Sequence, residues 1–423
     1  MVSRAHLRSY IVAAATALLL AGFPSTAMGV GFGLGDHGLD AYAGSSSFHT
    51  LCGWNGTSCG HGAMSITYTR IDVPYNALAT YDSASGGCVS TVGDSNNWVW
   101  HDGAQEATGQ SLYSWLGAAE QDGLDPIFSI TWGNPNLRAE ADNPGYPTAN
   151  GYLCGLEALM QAAGPGWNRW VHEWEVFNEP ESGICASDAA NYALMASEAA
   201  AQEGRSSDTF VAGAFWDKDD PLDGSNHPDC GHPSGDWFIS DYVSAIKAEH
   251  LSPAVWSWHP YTDVDASYSG TDNTHQTGDL ASYLNKQFRS RPQFWITEAA
   301  IWLNDHQYGQ DLDGNPTAQA NAAAGFENLA NAPNQAYKGQ IARLYWYEYQ
   351  TYGDGSSLGS DTFDSALLGL TNTDWVEDGS GVQRASYCVL AYGDSPKRAV
   401  SDTRCDYASS PDIPWTDWQD PNG

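Results

Sequence analysis

Basic residues are scarce in this chain. Its 423 residues hold 17 Lys and Arg against 51 Asp and Glu, a formal net charge of −34. Such a surface repels phosphate backbones and anionic lipid, which excludes nucleic acid and membrane surfaces as partners and disfavours polyanionic substrates. Long apolar runs are also scarce. The run Ile11–Phe23 is shorter than the roughly 18 residues of a membrane span. It follows Arg4 and Arg8 and leads to small residues around Ala27 and Gly29, the pattern of a secretion signal over residues 1–29. Removing those two arginines takes the charge from −34 to −36. The eight cysteines form no CxxC pair, so no zinc pattern is present. An even count behind a secretion signal predicts disulfides instead. No internal repeat, low-complexity tract or linker marks off a second domain. Residues 30–423 therefore read as one domain, with an irregular tail after about Ser401.

Aromatic residues are abundant: 18 Trp, 22 Tyr and 12 Phe. That is more Trp than a core requires, and flat apolar rings in a cleft suit stacking on sugar faces. From Val30 onward, strand-like and helix-like segments alternate. The strand candidates are Val30–Gly35, Met64–Asp72, Pro126–Trp132, His172–Phe177, Thr209–Trp216, Ala254–His259, Gln293–Thr297 and Ile341–Tyr349. Helices are expected over Ser111–Gly123, Gly151–Gly164, Ser187–Gly204, Asp236–His250, Leu280–Phe288, Ala318–Ala332 and Arg384–Gly393, the third of these opening on Ser-Asp cap chemistry. Eight strands alternating with helices predict the α/β class and, on closure, a (β/α)8 TIM barrel. The glycines of "GFGLGDHG" lack GxGxxG spacing, which argues against an open nucleotide-binding sheet.

In such a barrel the chemistry gathers at the C-terminal strand ends. Strand four ends in "WEVFNEPE", where Pro180 predicts an extended Glu179 at the strand tip. Strand seven, "FWITEAAIW", ends in Glu298, so two carboxylates share one mouth. Paired carboxylates flanking one bond are what glycoside hydrolysis needs. Strand ends two, three, six and eight add Arg70, Trp132, His259 with Tyr261, and Trp346.

"NEP" at strand four, "HPY" at strand six and "ITE" at strand seven together resemble the retaining glycoside hydrolases of clan A. "WEVFNEP" is most similar to family 39, and "TRIDVP" is similar to the strand-two arginine of family 5. The resemblance spans roughly Val30–Gly393. It implies an O-glycosidase with Glu179 as acid/base and Glu298 as nucleophile. It further implies Asn178 on the sugar 2-hydroxyl, Tyr261 donating to Glu298, His259 and Arg70 beside the nucleophile, and Trp346 as the floor under the reacting sugar. Trp132 reads as a sugar platform or as packing at the barrel rim, and His37, Trp216 and Asp217 as further mouth residues. Glu173, Glu175 and Glu348 read as structural. The expected substrate is a neutral polysaccharide or oligosaccharide, attacked endo on a β-glycan, with an exo-acting β-xylosidase or arabinofuranosidase-like enzyme and a non-catalytic carbohydrate-binding barrel as alternatives. No metal or other cofactor is expected, because the Asp-rich loops 217–226 and 311–316 miss the EF-hand spacing. A secreted monomer is expected. Neighbouring strand–helix regions of the barrel predict the disulfides Cys88–Cys154 and Cys185–Cys230, with Cys52–Cys59 and Cys388–Cys405 as local clips.

Overall fold

The computed structural model describes residues 30–35, 66–91, 112, 116, 119, 124–133, 146–162, 171–216, 238–268, 275–301, 304–305, 310–311, 315–331, 337, 339–347, 368–369, 382–383, 385–392, 394–402 and 405. The predicted signal, His37, Asp217, Glu348, the Asp-rich loop 217–226 and the Cys52–Cys59 pair lie outside them.

Eight parallel strands close into a barrel: β1 (Gly31–Gly35), β2 (Ile66–Pro74), β3 (Asp125–Thr131), β4 (Glu173–Glu175), β5 (Thr209–Trp216), β6 (Val255–His259), β7 (Gln293–Ala299) and β8 (Ile341–Tyr347). Each pairs with its chain neighbours, and β1 pairs with β8 to complete the ring. The helices α1 (Ala149–Ala162), α2 (Ala186–Gln202), α3 (Phe238–Ala248), α4 (Tyr261–Tyr268), α5 (His275–Gln287), α6 (Pro316–Asn331), α7 (Ala385–Tyr392) and α8 (Pro396–Ala399) follow among the described residues. Helix α2 starts one residue before the Ser-Asp pair. Cys185 is its N-cap, with no side-chain capping bond, and Asp188 contributes its charge to the first turn instead.

Strand alternation sends one set of side chains outward under the helices and the other into the barrel. Outward-facing Trp174, Trp256, Trp258 and Trp346 are fully buried between sheet and helices. The interior is layered. At the N-terminal end Ile127, Val211, Val255, Trp295 and Tyr345 pack together with Tyr68. Arg343 threads this layer between the rings of Tyr68 and Trp295, 3.8 and 3.7 Å from their centroids, and forms a bidentate pair with Glu173. The glycines of β1 make room for these rings. A Cβ on Gly31 would meet the Tyr68 ring at 2.3 Å, and one on Gly33 would meet the Tyr345 ring at 2.5 Å. They are packing glycines.

A hairpin, Ala79–Asp82 with Gly87–Ser90, follows β2. The disulfide Cys88–Cys154 ties it to α1, and Cys388–Cys405 clips the C-terminal segment to α7. Cys185 is also disulfide-bonded. Its predicted partner Cys230 lies outside the described residues. No helix among the described residues is long and apolar enough to cross a membrane.

Candidate active site

Beyond the three ladder residues of β4 the chain stays laced to both neighbours. Val176 N–H donates to Val211 O, Asn178 N–H to Ile130 O (2.7 Å) and Glu179 N–H to Ala214 O (3.0 Å). Glu179 is therefore fixed at the strand tip, but it is left-handed (φ 44°, ψ 56°) and not extended. Pro180 removes the right-handed helical option. An extended residue would carry the chain past the rim, whereas the left-handed one folds it directly into the 3-10 turn Pro180–Ser182. A non-glycine residue in this region costs of order 1–3 kcal/mol.

Two β-bulges aim the site. In β7, Ile296 and Ala299 pair with Leu344 and Trp346. One extra residue on β7 lets Thr297 and Glu298 both face the axis, against strict alternation. In β5, Gly213 and Phe215 pair with Ser257 and Trp258. Ala214 is the extra residue at φ 60°, and its carbonyl receives the Glu179 amide.

Arg70 is buried on the axis and organises the layer below the mouth. Its Nε and Nη2 donate to Glu175 Oε2 (2.9 and 2.8 Å), and Nη2 also donates to Ser129 Oγ and Asn178 Oδ1 (both 2.8 Å). Nη1 forms an ion pair with Glu298 Oε1 at 2.5 Å, and Asp72 lies 3.2 Å from Nη2. Burial works against the Arg70 charge, but Asp72, Glu175 and Glu298 outweigh it and raise its pKa further. Burial would likewise push Glu175 up, yet Arg70 and then His259 hold it below the ordinary value.

Glu298 also accepts a hydrogen bond from Tyr261 Oη (3.0 Å). Burial holds its pKa above the ordinary carboxylate value, and Arg70 and His259 offset only part of that push. His259 stands between the two carboxylates, its Nδ1 3.0 Å from Glu179 Oε1 and 3.6 Å from Glu298 Oε2. Thr297 Oγ1 donates to Glu175 Oε1 (2.6 Å), so it accepts from His259 Nε2–H (3.0 Å). That assigns a proton to Nε2 and leaves Nδ1 and Glu179 sharing the next one. Burial disfavours the His259 charge, but Glu298 and the bonded Glu179 outweigh it and lift its pKa to about 9.

Glu179, His259 and Glu298 each bring a donor atom within 4.8 Å of the others. Three such donors could in principle hold a divalent cation, but Arg70 already supplies the positive charge at Glu298. Glu179 is the more open carboxylate, its side chain 18% exposed against 5% for Glu298.

The barrel brings Arg70, Asn178, Glu179, His259, Tyr261 and Glu298 together. Trp132 lies at the end of β3 and is 42% exposed. Trp346 is different. It is fully buried and packs edge-on to Phe326 of α6, 5.2 Å between centroids. It points to the helix layer and cannot floor an open subsite. Alternation puts the next residue, Tyr347, inside instead, 6.5 Å from the Tyr261 ring. Trp216, at the end of β5, is half-buried. Glu173 serves the barrel floor, as expected, whereas Glu175 lies directly beneath the site. The signal for Glu175 was present: it alternates with Glu173 on the inward face of an otherwise apolar strand. Thr297 and Glu181 were not anticipated either.

No protein-family model matches this chain, and no curated protein matches it. Solved structures do. A family 39 glycoside hydrolase from the gut symbiont Bacteroides cellulosilyticus aligns over 88% of this chain and 65% of its own length, at 17% identity and a TM-score of 0.52. A monomeric β-xylosidase from Caulobacter crescentus aligns over 86% and 67%, at 11% identity and a TM-score of 0.51. An endo-β-1,6-glucanase aligns over 86% and 74%, at 12% identity and a TM-score of 0.51. The chain thus spans about two thirds of the length of the first two. At these identities the likeness is one of fold: this chain folds as a closed barrel similar to those of solved glycoside hydrolases.

Proposed function

We propose that the chain is a secreted, retaining glycoside hydrolase that cleaves β-linked, neutral glycans internally, with Glu179 as acid/base and Glu298 as nucleophile. The approach of Glu179 and Glu298, with donor oxygens no more than 4.8 Å apart, carries this reading. Carboxyl groups about 5–5.5 Å apart suit a nucleophile and an acid, and a separation of about 6.5–9.5 Å would leave room for a water between them.

In the first step a Glu298 oxygen attacks the anomeric carbon. The bond to the leaving sugar breaks, and Glu179 delivers its proton to the departing oxygen. In the second step Glu179 takes a proton from water, the water oxygen attacks the same carbon, and Glu298 leaves as a carboxylate. Arg70 and Tyr261 hold Glu298 as the attacking anion and orient its oxygens. His259 shares with Glu179 the proton that the first step spends. Esterification of Glu298 removes the negative charge that most supports the His259 cation, so the proton moves toward Glu179 as the bond forms. Trp132 offers an exposed ring for a bound sugar at the rim.

The disulfides and the excess of acids support an extracellular site of action on neutral substrates. The test is a product profile on a panel of neutral polysaccharides and oligosaccharides, comparing the mature protein with Glu298→Ala. Oligosaccharide ladders, absent in the variant, are expected. Monosaccharide alone would replace endo by exo action, and a variant as active as the parent would overturn the site assignment.

A further inference from the structure

Glu179 is not the sole acid in its turn. Glu181, two residues on, is buried, and its Oε1 accepts the backbone N–H of Trp216, the last residue of β5. Glu179 N–H meanwhile donates to Ala214 O on the same strand. The turn Glu179–Glu181 thus grips the tip of β5 at two points, residues 214 and 216. Both sides of the grip are left-handed, Glu179 at φ 44° and Ala214 at φ 60°. Conformations of this cost persist where surrounding bonds over-determine them. Here the over-determining bonds are the Ala214 carbonyl on one side and the Glu181 carboxyl on the other.

We propose that Glu181 is a positioning residue for Glu179: by clasping Trp216 N–H it holds the strand tip in the turn that presents the Glu179 carboxyl to His259. This deepens the reading of Glu179 as the acid/base and rests on it. The groups facing Glu181 are Glu179 in its own turn, the Trp216 amide on β5, its own backbone amide, and His259 on β6. Burial, and then the Glu179 charge, lift its pKa to about 8. At neutral pH the clasp is therefore largely a neutral carboxylic acid whose carbonyl oxygen accepts the amide, and it adds little negative charge beside Glu179.

Glu181→Gln keeps the accepting oxygen. Glu181→Ala removes it, and Glu181→Asp keeps the acid but shortens its reach by one methylene. Proton donation matters most when the leaving group is a poor one, such as a sugar alkoxide, and hardly at all for a dinitrophenyl leaving group. The Ala and Asp variants should lose about tenfold to a hundredfold in kcat/KM on oligosaccharides, but no more than about threefold on the dinitrophenyl glycoside. The Gln variant should stay within about threefold of the parent on both substrates. Amide hydrogen exchange reads the clasp without substrate. Glu179 and Trp216 should be protected in the parent and Gln proteins and exchange at least about tenfold faster in Ala and Asp. Equal losses on both substrates, an Asp variant behaving like the parent, or unchanged protection in Ala would each overturn the proposal. A parent that cleaves no glycoside would refute the glycosidase reading instead, and the exchange rates would still decide the clasp.

Discussion

The His259 cation gives a prediction with a sign and a size. Its folded pKa of about 9, against an ordinary 6.5, means the folded chain holds a proton that the unfolded chain has released between those values. Stability from this proton is complete below pH 6.5, falls as pH rises through the interval, and is gone above about 9. At about 1.4 kcal/mol per pH unit the interval corresponds to about 3 kcal/mol. The perturbation is His259→Asn, which keeps a polar group near Glu179 but cannot carry the charge. Urea unfolding of both proteins, followed by tryptophan fluorescence between about pH 6 and pH 10, gives two stability curves. Glu181, raised to about 8, and Glu327, raised to about 7 by burial, also lose stability as pH rises. Both carboxyls remain in both proteins, so the difference curve reports the histidine together with its coupling to Glu175, Glu181 and Glu298. The parent's advantage should shrink by about 3 kcal/mol across the range. Parallel curves would refute a charged His259 bridging Glu179 and Glu298, and with it the shared proton.

Other outcomes follow from single contacts. Tyr261→Phe removes the hydroxyl that donates to Glu298 and should lower kcat by about tenfold to a hundredfold in steady-state assays on the preferred glycan, with KM changed less. Gly155→Ala drives a methyl group to 2.0 Å from Tyr75 O, so α1 must shift away from the segment that follows β2. Thermal unfolding should report a loss of about 1–3 kcal/mol.

The strands were legible because each is an apolar or aromatic run of ordinary length bounded by turn residues, and all eight lie where the sequence placed them. The Asn178-Glu179-Pro180 and Thr297-Glu298 tips were legible because acids stand where apolar runs stop. What the sequence hid was side-chain facing. Alternation cannot reveal that β7 carries one extra residue, which turns Glu298 inward beside Thr297. Nor could it show that Trp346 stands one residue out of phase with the mouth. Pro180 correctly barred the right-handed conformation at Glu179. The left-handed conformation Glu179 adopts comes with an amide bond to Ala214, a residue more than thirty positions away. The buried acids Glu175 and Glu181 gained their roles from partners on other strands, and no local pattern encodes such partners.

The layer around Arg343 bears on the order in which molecules come and go. Tyr68, Trp295 and Tyr345 stopper the barrel from below, with the guanidinium wedged between two rings and locked to Glu173. In the double displacement proposed for this site, the water of the second step then enters from the mouth that the first product must vacate. Any alcohol lingering there competes with water for the sugar held on Glu298, and high glycan concentrations should divert part of the flux into longer chains.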